Sequence, residues 1–448
     1  MSTLLFAILS SAALSHQVAM SAHHLCSGYF VVGRDLHRSP EVVVEKDISR
    51  FDVFQWSDAF QYEVDEKKGL ARVWIPGGPS WTAKYGGDQG CTILPQGADD
   101  VFFEHEPVPP RLPDASTQNW PTGDAGAYHR MPEIDTALDW AMAQEDQHTR
   151  ALVVVYKGKI IGERYAEGFG KNTPQISWSQ GKSITSALIG VLVQQGELKL
   201  TDPAPVPEWH DEGDPRNAIQ VQHLLRMSSG LDFKNYGLDN PNSWTDENEH
   251  FRIYHDAIHV FEHAVNQPLE IEPGSRFRYR NSDPLTLGRI VRQIVEARGE
   301  SYLAFPRRAL FDKIGARDYV LETDPYGNFI MTGYDFGSAL DWTRFGLLHL
   351  WDGVWEGERI LPEGWIDFIT EPAPGDPDKG YGGLFWLNRG GALRRVPEDA
   401  YWAAGYMGQR TTIIPSRDMV VVRLGPSPDA FSAYIDEVVG RILEALEK

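Results

Sequence analysis

Apolar residues recur at helical spacing from Ile184 to Val193 and stop before Gly196, which predicts one buried helix ended by a glycine. The same period marks helices over Ile134 to Ala143, Leu285 to Val295 and, amphipathically, Ala430 to Leu446. Between the first two helices the pattern changes to continuous apolar runs. Ala151–Tyr156 and Ile160–Tyr165, joined by Lys157-Gly158-Lys159, predict a β-hairpin. Strand-like runs return late, at Gly383–Leu387, Arg410–Ile414 and Met419–Leu424, the last two joined by the turn Pro415-Ser416-Arg417-Asp418. Strands at both ends with helices between predict an α+β fold: one antiparallel sheet completed by both ends, with a mostly helical subdomain inserted.

The first quarter reads differently. Tyr29–Val32, Val42–Val44, Ala71–Ile75 and Cys91–Leu94 are short β-type runs separated by Gly, Pro and Asp. The proline-rich stretch from Glu106 through Asp124 cannot continue a helix or a central strand. The expected organisation is therefore a β-rich region over 23–105, a linker or wrapping segment over 106–127, and a large domain over 128–448. Leu4–Leu9 and the small residues to Leu14 resemble the apolar core of an export signal, with Ala19-Met20-Ser21 as a cleavage site, although no Lys or Arg precedes Arg34. That places a signal peptide at 1–22 and the protein outside the cytosol, periplasmic or secreted. Cys26 and Cys91, the only cysteines, then suit a disulfide; in a reducing compartment they suit buried thiols.

Composition narrows the partners. The 448-residue chain is 42% hydrophobic, as an ordinary globular protein is. A formal net charge of −21 with no basic run repels phosphate backbones and argues against nucleic-acid binding. No segment is long and apolar enough for a membrane helix.

The candidate chemistry starts at the head of the first helix. Ser179 and Lys182, three positions apart, share a helix face, so an amine stands beside a hydroxyl. At a helix N-terminus, free backbone N–H groups favour a developing oxyanion. A lysine with an ordinary pKa is protonated at neutral pH, so it needs burial or a partner before it can activate a serine. Tyr279, held as phenolate by Lys182, would supply a general base, with the Asn281 amide bonded to Lys182 and orienting a substrate carbonyl. His255, His259 and His263 recur every four residues, but no Glu completes a zinc motif, and a helix face without metal is expected. Gly181-Lys182-Ser183 lacks the first glycine of a phosphate-binding loop.

Ser-x-x-Lys, then His223-Leu224-Leu225-Arg226-Met227-Ser228-Ser229-Gly230-Leu231, then Pro-Gly-x-x-x-x-Tyr-x-Asn ending at Asn281, resembles the serine β-lactamase-related family over roughly 130–445. This is its class C β-lactamase, esterase and D-aminopeptidase branch. Trp178 and the box Gly405-Tyr406-Met407-Gly408-Gln409 look most like its 6-aminohexanoate-dimer hydrolase-like members. The resemblance implies an α/β sandwich with helices flanking the sheet and an acyl-enzyme on Ser179, requiring neither metal nor organic cofactor. It puts Tyr406-Met407-Gly408 in the place of the lactamase Lys-Thr-Gly box, with Gly408 admitting substrate and the Gln409 N–H as second oxyanion donor. Tyr236 takes a substrate-contacting position, and Trp386 is either a pocket wall or core. The missing third-box lysine favours small esters or linear amides over β-lactams. A D-amino-acid peptidase or β-lactamase-type enzyme, and a non-catalytic peptidoglycan binder, remain the alternatives.

Overall fold

The structure, a computed structural model, describes residues 11–34, 36–49, 59–236, 248–428 and 433–447. The chain enters through a helix, Ser11–Cys26, that packs on an antiparallel meander of β1 (Gln61–Asp65), β2 (Leu70–Trp74), β3 (Ser80–Tyr85) and β4 (Cys91–Ile93). It continues through β5 (Ala151–Tyr156), β6 (Lys159–Tyr165), β7 (Gln175–Ile176), β8 (Val320–Leu321), β9 (Asp335–Gly337), the short pair β10 (Val354–Trp355) and β11 (Glu358–Arg359), then β12 (Trp386–Leu387), β13 (Tyr401–Gly405), β14 (Gln409–Ile414) and β15 (Met419–Leu424).

The main sheet has the order β12-β13-β14-β15-β5-β6, every pair antiparallel, so strands from both ends of the large domain complete it as expected. Strand β5 reads as an unbroken apolar run because both its faces are covered. Leu152 and Val154 pack with helices Asp135–Met142 and Ala433–Leu446, while Ala151, Val153 and Val155 enter the larger core beneath helix Ala339–Leu350. Helices Gly181–Gln194 and Ser282–Ala297 pack together in the inserted subdomain.

Several expectations are corrected. Tyr29–Val32 is not a strand: a wide helical turn, Ser27–Val31, simply extends the first helix. Val42–Val44 is helical as well, because Ser39 caps Val42 N–H and Pro40 sits at the first helical position; these local signals outweigh the β preference of the valines. Only Trp386–Leu387 of the 383–387 run pairs, since Leu384 has a φ of +63°. The histidine row does not share a helix: His255 ends helix Glu249–His255 and His259 caps Val260–Val265. Among the described residues, His16, His255 and Asp256 do approach metal-ligand spacing. The two imidazoles, however, are stacked 3.7 Å apart and nearly parallel, so their lone pairs do not converge.

Of the segment expected as a signal peptide, Leu4–Leu9 lies outside the described residues, and the rest opens helix Ser11–Cys26. Val18, Ala19 and Met20 are buried, and a cut beside Ser21 would divide a core element. The 106–127 stretch wraps the large domain. Trp120 Nε1 donates to the Gly158 carbonyl at 2.8 Å, and the Arg344 guanidinium donates to Pro121 O and Asp124. One core cluster runs from Met20 and Val73 to Ile184 and Tyr334.

Cys26 is bonded to Cys91, tying the end of the first helix to β4 across 65 residues of sequence. Closing a loop of that length restricts the unfolded chain, so replacing both cysteines by alanine should lower stability by about 2–4 kcal/mol. Urea titration followed by near-UV circular dichroism measures the loss.

Candidate active site

Strand β7 delivers the chain to a single tight turn, Trp178–Gln180, before helix Gly181–Gln194 begins. Trp178 holds a φ of +51°, a conformation that bulky residues rarely adopt. Its ring is clasped by those of His24, Tyr254, Tyr334 and Tyr406, whose centroids lie 5.3 to 6.3 Å away. Packing of this kind offsets the backbone strain and fixes the turn that presents Ser179, itself half-buried at the cavity wall. Gly181 is required next, because a Cβ there would lie 2.1 Å from Asp335 Oδ1.

Lys182 is buried and donates from Nζ to Ser179 Oγ at 2.9 Å and to the Thr332 carbonyl at 3.0 Å. That carbonyl also accepts from Tyr254 Oη at 2.7 Å and, more weakly, from Ser179 Oγ at 3.4 Å. Burial brings the Lys182 pKa down to about 7, partly opposed by the Asp335 carboxylate. Asp335 is buried too, and desolvation raises it to about 8, opposed by a Ser177 hydrogen bond and by Lys182. The two groups therefore sit near neutrality together.

Tyr279 arrives from the far side of the sequence. The run 219–231 positions it: Met227 O accepts from Arg278 N–H, Ser228 O accepts from Gly274 N–H, and Asp283 accepts from the Ser229 hydroxyl. Desolvation pushes the Tyr279 hydroxyl well above its ordinary range, and only the Ser179 hydrogen bond opposes this. The Lys182 amine lies 4.9 Å from the centroid of the Tyr279 ring. A standing phenolate is thus not what this environment favours; a neutral phenol beside a readily deprotonated lysine is.

The remaining expectations divide. Asn281 is buried, but its amide donates to His250 O at 2.8 Å and Tyr254 Oη at 3.0 Å, so it braces a wall tyrosine instead of Lys182. Gly408 and Gln409 lie outside the cavity, and the Gln409 side chain is paired with the Gly425 backbone. The strand passing the nucleophile is β13, three positions earlier. A Cβ on Gly405 would fall 1.9 Å from Ser177 O, so the glycine demanded by close approach is Gly405. Gly408, at a φ of +78°, instead serves the kink between β13 and β14. Ala403-Ala404-Gly405 accordingly occupies the third-box place. Tyr236 is half-buried and does not line the cavity, whereas Trp386 does, 5.5 Å from the Tyr279 ring.

The cavity measures about 180 Å³ and is lined by Met20, Trp178, Ser179, His250, Phe251, Tyr254, Tyr279, Trp386 and Ala404–Tyr406. Desolvation holds His250 well below its usual pKa, and the nearby Lys182 and Arg280 charges add to this, so it too is neutral. Thr332, Asp335, Phe251 and Tyr254 carry no motif, and Met20 appears only within the expected cleavage site Ala19-Met20-Ser21. Asp335 alone left a trace, as an acid inside the otherwise apolar run Tyr334–Gly337.

Two measurements follow from this geometry. Labelling of Ser179 by a fluorophosphonate should accelerate as pH rises through about 7, where the lysine loses its proton and can accept one. Asp335 is itself raised to about 8 and carries little charge at the pH of this limb, so Asp335→Asn should move it to lower pH by only a fraction of a unit; a move to higher pH would contradict the coupling. Gly405→Ala should slow labelling by about 100-fold, the scale of losing one oxyanion donor, because β13 must retreat from the nucleophile turn. Gly408→Ala should act first on stability.

A family profile described as Beta-lactamase matches residues 134–431. A 6-aminohexanoate-dimer hydrolase of Paenarthrobacter ureafaciens is 24% identical over 317 residues, covering 67% of this chain and 76% of that protein. Among solved structures, a family VIII carboxylesterase superposes with a TM-score of 0.56 at 14% identity, over 70% of this chain and 98% of the other. A penicillin-binding protein homologue from Caulobacter crescentus does so with a TM-score of 0.53 at 14% identity, over 70% and 96%. These two likenesses speak for the shared fold. With the profile spanning well over half of the sequence, the chain belongs to the Beta-lactamase family, as a serine hydrolase.

Proposed function

We propose that the protein hydrolyses small carboxylic esters or linear amides through an acyl-enzyme on Ser179. The observation that carries this reading is the 2.9 Å contact between Ser179 Oγ and a buried Lys182 whose pKa lies at about 7. Near neutral pH a large fraction of that amine is free to take the serine proton. Oγ then bonds to the substrate carbonyl carbon, and the oxyanion meets the backbone N–H groups of Ser179 and Tyr406. Collapse of the tetrahedral species breaks the bond to the leaving alcohol or amine, which receives the proton through Tyr279, poised as a neutral phenol beside Ser179. A water molecule, deprotonated by the same Lys182, releases the acid and restores the serine.

Ala403-Ala404-Gly405 carries no cation where lactamase members have a lysine, which supports ester or linear-amide substrates over β-lactams. The names of the relatives, an aminohexanoate-dimer hydrolase and a carboxylesterase, agree with that range. The Cys26–Cys91 bond supports work in an oxidising compartment outside the cytosol.

Intact mass after incubation with p-nitrophenyl acetate should show a transient acetyl adduct, mapped by peptide digestion to Ser179. Ser179→Ala should lose at least about 1000-fold in hydrolysis, the scale expected for removing a nucleophile that acts as a unit with its base. Full turnover by that variant, or an adduct elsewhere, would sink the reading.

A further inference from the structure

The family match begins at residue 134, yet the cavity beside Ser179 is walled in part by Met20, from the first helix of the chain. Met20 is 1% exposed and belongs to the same core cluster as Trp178 and Tyr254. The helix that carries it is not loosely laid on. His16 stacks on His255, at the end of the helix that brings Phe251 and Tyr254 to the cavity. His24 approaches Tyr334 Oη at 2.8 Å, and its ring lies against Trp178, the residue before the nucleophile. His23 stacks on Tyr334 and lies 2.7 Å from the buried Glu322 carboxylate. Glu322 also accepts from the Ser27 hydroxyl at 2.8 Å and from the Cys91 N–H at 2.9 Å. One buried acid thus gathers the helix end, the disulfide-bonded strand β4 and the large domain into a single joint.

We propose that this N-terminal helix is a specificity element of the active site. Met20 sets the depth of an acyl-binding subsite that takes neutral, apolar, short-chain acyl groups. The inference deepens the ester-hydrolase reading and rests on it for the identity of the reacting bond. The lining supports the substrate chemistry. Met20, Trp178, Phe251, Tyr254, Trp386 and Ala404 present an apolar surface, and His250 is held neutral. Among the described residues, none that lines this cavity carries a charge to pair with a carboxylate or ammonium, and burying either unpaired in such a wall is strongly unfavourable. A substrate with a charged acyl end is therefore disfavoured, while each methylene of an apolar acyl chain strengthens binding about fourfold until it meets Met20. Methionine suits that place, since its unbranched thioether fills irregular space against aromatic rings.

The test is a chain-length series on the full chain: p-nitrophenyl acetate, butyrate, hexanoate and octanoate, with wild type, Met20→Leu, Met20→Ala and Met20→Trp. The proposal expects the ratio of kcat/KM for octanoate over acetate to rise at least tenfold in Met20→Ala. It expects that ratio to fall in Met20→Trp and to stay within threefold of wild type in Met20→Leu. Near-UV circular dichroism on each variant identifies misfolded protein, and Met20→Leu then carries the comparison alone against Met20→Ala. A second readout separates this proposal from the reaction it rests on. In a Ser179→Ala background, calorimetry with neutral n-alkyl amides of increasing length should show tighter binding of long chains when Met20→Ala is added. If wild type turns over no ester but the binding series shifts, the ester-hydrolase reading has failed and the subsite stands. If esters are hydrolysed and neither series responds to position 20, the subsite is overturned. Active mature enzyme lacking residues 1–21 by intact mass would overturn it as well.

Discussion

Burial of the Lys182 amine beside Ser179 is the constraint around which the rest of the site is arranged. An ammonium sealed from water is costly, and the fold answers by lowering its proton affinity and giving it few partners: Ser179 Oγ and the Thr332 carbonyl. A strong carboxylate contact would have stabilised the ammonium and disarmed the serine. Asp335 is close enough to act electrostatically, yet it is itself raised to about 8 by desolvation and so withholds most of its charge near neutrality. Its surroundings leave the lysine ready to lose its proton near neutral pH. That condition reaches outward into the sequence, because Gly181 must lack a side chain to leave room for Asp335.

The second requirement is that two backbones meet at the nucleophile. The Trp178 turn is forced into a positive φ and held there by four aromatic rings, one of them His24 from the N-terminal helix. On the other side β13 presses against the turn, close enough that only glycine fits at position 405. Neither chain could be moved by a few tenths of an ångström without disturbing the other. The N-terminal region, although outside the family match, is therefore part of what makes the turn rigid.

Much of this was legible in the sequence where a local pattern and a local structure coincide. The β5–β6 and β14–β15 hairpins, the helix after Ser179 and its glycine stop all follow from period and turn chemistry. Ser179, Lys182 and Tyr279, from the first two boxes of the resemblance, are brought together. What failed to show was anything decided by contacts between distant segments. The third box offered two glycines, and only the approach of Ser177 to β13 distinguishes Gly405 from Gly408. Asn281 looked like a ligand of the lysine because it follows Tyr279 closely, but it caps a helix and its amide turns toward Tyr254. Leu4–Leu9, which carried the export-signal expectation, lies outside the described residues; helix Ser11–Cys26 makes its polar contacts through histidines, which carry no periodic signature.

The neutrality of the cavity also bears on how a turnover would end. Ester hydrolysis converts an uncharged substrate into a carboxylate inside a wall of Met20, Phe251, Tyr254 and Trp386. A protonated Lys182 pairs with the new anion, and that pairing raises the proton affinity of the amine above its resting value of about 7, so release is favoured as pH rises past it. Once the amine is deprotonated, none of the described residues lining the cavity carries a charge to hold the carboxylate, and its desolvation favours release. Outside, a net charge of −21 disfavours its return. One physical term, the cost of an uncompensated charge in an apolar cavity, thus both activates the nucleophile and drives release. A third-box lysine would weaken that second effect by giving the product carboxylate a cation to rest on, so its absence suits an enzyme whose substrate is neutral and whose product is not.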